Sequence, residues 1–152
     1  MRLIITGHRD EKLETYNRLW IKTAIEECLL KLKNCPGISI AYAGMASGVD
    51  LTFCESCQFY DIPFIACVPF EGQEKQMTKE AARFRSDLLK IAKEIKYVKN
   101  SWMVENCDYA IAVWDGNKGG THNVVQQLIE KKKNWIWVNP VSEVIWDCFV
   151  KT

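Results

Sequence analysis

Apolar positions along the chain fall into short runs at strand spacing, separated by longer stretches at helical spacing. Strands are predicted at Arg2–Thr6, Ile38–Ala43, Phe64–Val68, Lys96–Lys99, Asp108–Trp114 and Trp135–Val138. A helix from about Lys12 to Lys33 puts Ile21, Ile25, Cys28, Leu29 and Leu32 on one face. A second helix ends near Tyr60, where Asp61-Ile-Pro63 breaks it. A long helix from about Gln73 to Glu94 turns Ala81, Phe84, Leu88, Ile91, Ala92 and Ile95 inward. Asn100 to Cys107 is a connector of one or two helical turns. Another helix begins near Thr121 and carries Val125, Leu128 and Ile129, and Val144 to Val150 is expected to form a terminal helix. Ile111, Val113 and Trp114 belong to a run that is apolar on both alternations, which suits a strand covered on both faces. Alternating strands and helices with right-handed crossovers imply an α/β, Rossmann-like three-layer fold with a mainly parallel sheet. Residues 1–152 form one domain in this reading.

Such a sheet takes its ligand at the carboxyl ends of its strands, where the strand order reverses. Three glycine-bearing loops fall on that edge, at Gly7-His8-Arg9, at Gly44 to Asp50, and at Asp115 to Thr121. Gly7, Gly44, Gly48, Gly116, Gly119 and Gly120 let the backbone turn or approach a ligand. Ser47 and Thr121 are suited to cap helices and to give hydroxyls to a phosphate, and Arg9 to pair with one. His8 and His122 have no evident carboxylate partner in sequence, and His8 is better placed as a contact than as a base. Asp115, ending the fifth strand, is the first candidate for a ribose contact; its structural alternative is an Asx-turn holding the glycine loop. Asp50 either satisfies loop N–H groups or accepts from a ribose hydroxyl, and its place near a helix start favours the structural role. Pro69 and Phe70 end the third strand, with Phe70 available to stack on a base or to wedge the helix. Glu71 and Glu74 suit the first turn of a helix. With Asp115 they are the catalytic candidates if a glycosidic bond is cleaved, and Asp50 is the fourth carboxylate near the pocket mouth.

Composition narrows the classes. The 152 residues are 48% hydrophobic with six Trp, enough for a sizeable core. Net charge is +1, which speaks against a protein that coats a nucleic-acid backbone, so nucleic acid is expected to be an unlikely partner. Lys131-Lys132-Lys133 at a helix end is explained by the helix dipole and solvation. No apolar run reaches ~18 residues, the chain starts directly on a strand, and no membrane partner or signal segment is indicated. Seven scattered Cys suit reduced thiols and a cytoplasmic location. Cys54 and Cys57 lack a second ligand pair and are expected in the core, so no metal or other cofactor is indicated. Trp102, Trp135, Trp137 and Trp146 are expected in the core or at a subunit interface.

The loops together resemble the SLOG superfamily of Rossmann-like proteins, which includes DprA and the LOG phosphoribohydrolases. Gly44-Met-Ala-Ser-Gly-Val-Asp50 is similar to its Ser-Gly-x-Ala-x-Gly-(Ile/Val)-Asp segment. Asp115-Gly116 with Gly119-Gly120-Thr121 resembles its second glycine signature, and Thr6-Gly7-His8-Arg9 its first strand exit. Pro69 to Glu74 and Trp102 to Asp108 resemble the YspA/YpsA-like branch of bacterial or phage proteins. The resemblance covers roughly Arg2 to Pro140. It departs from LOG hydrolases in one chemical respect. Their Gly-Thr-x-x-Glu supplies a glutamate to the glycosidic bond, whereas here the next acid after Thr121 on that helix is Glu130. The connector near Lys99-Asn100 is also short for the branch.

The resemblance implies binding, for sensing or sequestration, of a nucleotide or ADP-ribose-like ligand. The phosphate is expected on the Ser47-Gly48 and Gly119–Thr121 amides, with the base toward Phe70. The alternatives are nucleotide N-glycoside hydrolysis and DprA-like single-stranded DNA binding. The resemblance further implies a homo-oligomer.

Overall fold

The computed structural model describes residues 1–149. Its strands are β1 (Arg2–Gly7), β2 (Ile40–Ala43), β3 (Phe64–Val68), β4 (Glu94–Tyr97), β5 (Tyr109–Val113), β6 (Asn134–Asn139) and β7 (Val144–Cys148). They form one sheet in the order β4-β3-β2-β1-β5-β6-β7, with only the β6/β7 pairing antiparallel. The helices are α1 (Asp10–Leu13), α2 (Arg18–Asn34), α3 (Val49–Phe59), α4 (Lys79–Ile91), α5 (Asn100–Asn106) and α6 (Gly120–Glu130). α2 packs on β5 and β6, and α3 on β1, β2, α2 and α4; α5 and α6 pack together and on β1. The fold is the Rossmann-like α/β arrangement that the alternating pattern implies.

Both faces of the sheet are covered, and the sequence shows why. Leu3 and Ile5 of β1 enter one apolar layer with Ile25 and Leu29 of α2 and Phe53 of α3. Ile4, between them, enters the other layer with Met103 and Val104 of α5 and Val125 and Leu128 of α6. Successive strand residues point to opposite faces, so a continuous apolar run is what two-sided burial requires. Each such side chain, fully withdrawn from water, contributes about 1.5–3 kcal/mol. Cys54 and Cys57 lie in the first layer as free thiols, as expected.

The chain leaves β1 to one neighbour, β2, and returns from β4 across the sheet to the other, β5. The strand order therefore reverses between β1 and β5. Their starts are tied together by Arg2, whose main-chain N–H and guanidinium donate to the Asp108 carboxylate at 2.7–3.3 Å. This holds the two strands in register, so their ends open side by side.

Four local expectations are corrected. The helix expected from Lys12 to Lys33 is broken between α1 and α2, because the Asn17 side chain accepts the Trp20 N–H at 3.0 Å and starts a new helix. The helix expected from Gln73 to Glu94 is a short 3-10 turn, Gln73–Gln76, followed by α4, which Thr78 caps through the Ala81 N–H at 3.1 Å. Its expected inner stripe is only partly realised. Ala81 and Leu88 are buried, Ile91 and Ile95 are exposed, and Arg85 is buried instead. The terminal helix is strand β7, because Asn139 accepts the Val141 N–H at 2.9 Å and folds the chain back against β6. Val150 of that expected helix lies outside the described residues. Trp135 is buried, whereas Trp146 on β7 is 54% exposed.

Candidate ligand site at the strand reversal

A cavity of about 370 Å³ opens at the end of β1, on the edge where the strand order reverses. The volume falls in the range of small-molecule sites. Its walls come from all three glycine loops. Gly7 ends β1, and His8 and Arg9 follow it; Gly44, Ala46 and Asp50 follow β2; Gly120 and Thr121 open α6. Pro69 and Gln73 close one side, Asn100 and Met103 of α5 the other, and Ile5, Met103 and Val124 are apolar surfaces within it.

The first two loops are locked together. The Val49 N–H donates to the His8 carbonyl at 3.2 Å. A Cβ on Gly7 would lie 2.5 Å from Val49 Cγ1, so only glycine lets α3 approach the end of β1 this closely. Gly48 has φ +90°, and a Cβ there would meet the His8 carbonyl oxygen at 2.6 Å. These two glycines serve packing that shapes the cavity.

α3 and α6, each 11 residues long, start at this edge without side-chain caps; their N-cap residues are Gly48 and Gly119. α2 and α4, whose first residues do not line the cavity, are capped by Asn17 and Thr78. Thr121, expected as a cap, is instead one residue inside α6, so its hydroxyl is not used by the helix. Thr6 and Thr121 are only 9% and 7% exposed, line the cavity, and make no side-chain hydrogen bond to the described residues. Arg9 is exposed at the mouth.

Asp115 does not line the cavity. Its carboxylate accepts from Tyr16 Oη at 3.0 Å and the Asn117 N–H at 2.9 Å, and pairs with Lys12 Nζ at 2.7 Å. Burial opposes its ionisation, but the Lys12 ammonium, the Asn117 N–H and the Tyr16 hydroxyl outweigh that and hold it well below the usual carboxylate range. The break between α1 and α2 is what brings Tyr16 to it. Asp115 thus takes the structural alternative, with its Asx-turn to Asn117. Its main-chain N–H donates to His8 Nε2 at 3.0 Å. That bond needs neutral imidazole with its proton on Nδ1, and burial correspondingly lowers the His8 pKa, the Asp115 charge opposing and the Lys12 charge assisting.

Asp50 has the converse placement. It is 9% exposed, lines the cavity, and uses one oxygen to accept the Ala46 N–H at 3.1 Å. Burial pushes its pKa up to about 7, against the Ala46 N–H and the Arg9 charge. A carboxyl whose folded pKa is raised stabilises the fold at low pH and loses that contribution as pH rises through about 7. Asp50→Asn is therefore expected to raise the unliganded Tm by roughly 5 °C at pH 8 and by less at pH 5, as measured by thermal denaturation.

Several expected contacts lie elsewhere. Phe70, Glu71, Glu74, Gly116 and Gly119 do not line the cavity, and Phe70 is 43% exposed. Glu74 lies 3.8 Å from Arg85 Nη1. Ser47 is buried, accepts weakly from the Asp10 N–H at 3.5 Å, and borders a small cleft beside the cavity. Sequence reasoning missed Thr6, Lys12, Gln73 and Asn100. Gln73 carries the Gly44 corner: its Nε2 donates to the Gly44 carbonyl at 2.9 Å, and its Oε1 accepts from buried Arg85 at 3.0 and 3.2 Å. Thr6 was legible as the last residue of its strand; the Gln73–Arg85 link has no sequence signature. Three residues beyond Thr121, where the LOG pattern has its glutamate, Val124 lines the cavity.

No family profile and none of the curated proteins matches the chain. Solved structures do. DNA processing protein A (DprA) from Streptococcus pneumoniae superposes with a TM-score of 0.63 at 12% identity, over 90% of this chain and 49% of that one. DprA from Helicobacter pylori gives 0.64 at 15% identity, over 90% and 64%. TM1055, a structural genomics target, gives 0.55 at 12% identity, over 88% and 71%. The chain thus spans about half of one DprA and under two thirds of the other. At these identities the matches establish a shared fold. The Helicobacter pylori structure is described by its single-stranded DNA binding mode. This corrects the expectation that nucleic acid is an unlikely partner. A net charge of +1 averages over the whole surface and does not weigh against a local site on this fold. No helix among the described residues is long and apolar enough to cross a membrane.

Proposed function

We propose that the protein binds a nucleotide-type phosphorylated ligand in the cavity at the strand reversal, in a SLOG-like domain of the YspA/YpsA-like branch. The observation that carries this reading is the contrast between helix starts. α3 and α6 begin uncapped at the cavity edge, beside Thr6 and Thr121, which line the cavity with hydroxyls that have no partner among the described residues, whereas α2 and α4 are capped. Free N–H groups, aligned peptide dipoles and unpaired hydroxyls favour an anion, and Arg9 adds charge at the mouth. The phosphate rests on the Gly120 and Thr121 amides and the Thr121 hydroxyl.

Isothermal titration with nucleoside monophosphates and ADP-ribose tests this. Binding is expected in the micromolar to millimolar range, weakened roughly fivefold to tenfold by Thr121→Val. No heat from any of them at millimolar concentration would remove the reading. The fold shared with the Helicobacter pylori protein supports a second one, in which the phosphate is part of a single-stranded DNA backbone. Binding of an oligothymidylate far tighter than thymidine monophosphate, with a steep salt dependence, would favour it. Hydrolysis has less support, since Val124 lines the cavity and Glu71, Glu74 and Asp115 lie off it.

A further inference from the structure

We infer that Asp50 is the residue through which the cavity recognises a ligand hydroxyl, so that the ligand class is a phosphorylated polyol rather than a bare anion. The inference rests on the anion-site reading above. Two carboxyls line the cavity, Glu11 and Asp50, and Glu11 is exposed to water. Asp50 is buried, and its position is fixed from both sides. Oδ2 accepts the Ala46 N–H, and Gly44 packs so closely that a Cβ there would stand 3.2 Å from that oxygen. Among the described residues no lysine or arginine lies within ion-pair distance of it, and its other oxygen accepts no hydrogen bond from the protein. Asp50 lines the cavity, so that oxygen is open to a donor that enters it.

The ligand's phosphate cannot be that donor, because two anions repel. A hydroxyl can, since it gives a proton to an ionised acceptor without bringing charge of its own. Asp115 is ruled out of this role by its bonds to Tyr16, Lys12 and Asn117. Asp50 stands in the first turn of α3 and Thr121 in the first turn of α6, so one cavity offers an anion seat and a hydroxyl acceptor. The apolar surfaces of Ile5, Met103 and Val124 suit the carbon skeleton between them.

The assignment predicts effects of opposite sign. Inorganic phosphate and ribose 5-phosphate are titrated into the wild type, Asp50→Asn and Asp50→Ala at pH 8, where the carboxyl is ionised. Near-ultraviolet circular dichroism and melting confirm that each variant is folded. The wild type is expected to bind ribose 5-phosphate about tenfold more tightly than phosphate. Both substitutions are expected to weaken ribose 5-phosphate several-fold and to strengthen inorganic phosphate, because repulsion has been removed. A merely structural Asp50 would shift both probes the same way, and that result, or no shift, overturns the assignment while leaving the anion site standing. If the wild type binds phosphate and ribose 5-phosphate equally, the assignment likewise fails alone. If it binds neither at millimolar concentration, the anion-site reading falls with it.

Discussion

Gly48→Ala is expected to destabilise the fold by about 2–5 kcal/mol, lowering the Tm by roughly 10 °C. Two penalties act together. The backbone at φ +90° is unfavourable for any residue with a Cβ, and the new methyl would stand 2.6 Å from the His8 carbonyl oxygen and 2.9 Å from the Arg9 and Asp10 main chain. These are backbone atoms, so no side chain can rotate away to relieve the clash. The β1 and β2 loops would have to separate, breaking the bond from the Val49 N–H to the His8 carbonyl. Gly120→Ala is the matched control. Its Cβ would meet nothing within 4 Å, and alanine suits a helix better than glycine. It is expected to leave the Tm within a degree or two while weakening ligand binding, since Gly120 lines the cavity. Equal losses of stability in the two variants would contradict the close approach at Gly48.

Asp115→Ala is expected to lower stability by about 2–3 kcal/mol at neutral pH. The side chain is fully buried, and its removal leaves the Tyr16 hydroxyl and the Asn117 N–H without an acceptor. Lys12 is 43% exposed and can turn to water, which limits the loss. The effect has a defined pH dependence. Because the Asp115 pKa is lowered in the fold, its stabilisation is present above the ordinary carboxylate range and disappears as pH falls through the folded value. His8, also lowered, contributes stability above about 6.5 that fades as pH falls through its folded pKa. Asp50 runs the other way between about pH 4 and 7, so it partly offsets His8 there. Chemical denaturation across pH 3–8 should therefore show wild type and Asp115→Ala converging toward the acid end. A constant gap at every pH would mean that Asp115 acts through shape and not charge.

The candidate site shows the same division between local and distant causes. The three glycine loops stood out in sequence because strand ends, glycines and helix starts are local features with fixed spacing. Eight of the expected contacts, Gly7, His8, Arg9, Gly44, Asp50, Pro69, Gly120 and Thr121, do border the cavity. Asp115 takes its structural alternative, and Asp50 accepts a loop N–H as its structural reading expects. Asp115 was the natural ribose contact because it ends a strand, but Lys12 and Tyr16, about a hundred residues away in the chain, occupy its oxygens. Asp50 favoured a structural role because it lies near a helix start, yet it keeps one oxygen without a protein donor.

By itself the sequence determined the α/β class, the two-sided sheet and the edge on which a ligand site should lie. Hydrophobic periodicity and turn chemistry act over a few residues and leave their record in local order. Only the tertiary structure decided which polar groups are already satisfied and which remain open to a ligand. That depends on partners such as Tyr16 for Asp115, Arg85 for Gln73 and Val49 against Gly7, which meet through packing across the fold. The breaks at Asn17 and Thr78 and the Asn139 turn belong to the same class. A side-chain cap can outcompete a continuing helix when the packed core favours the break, and the apolar pattern on either side is nearly the same in both cases.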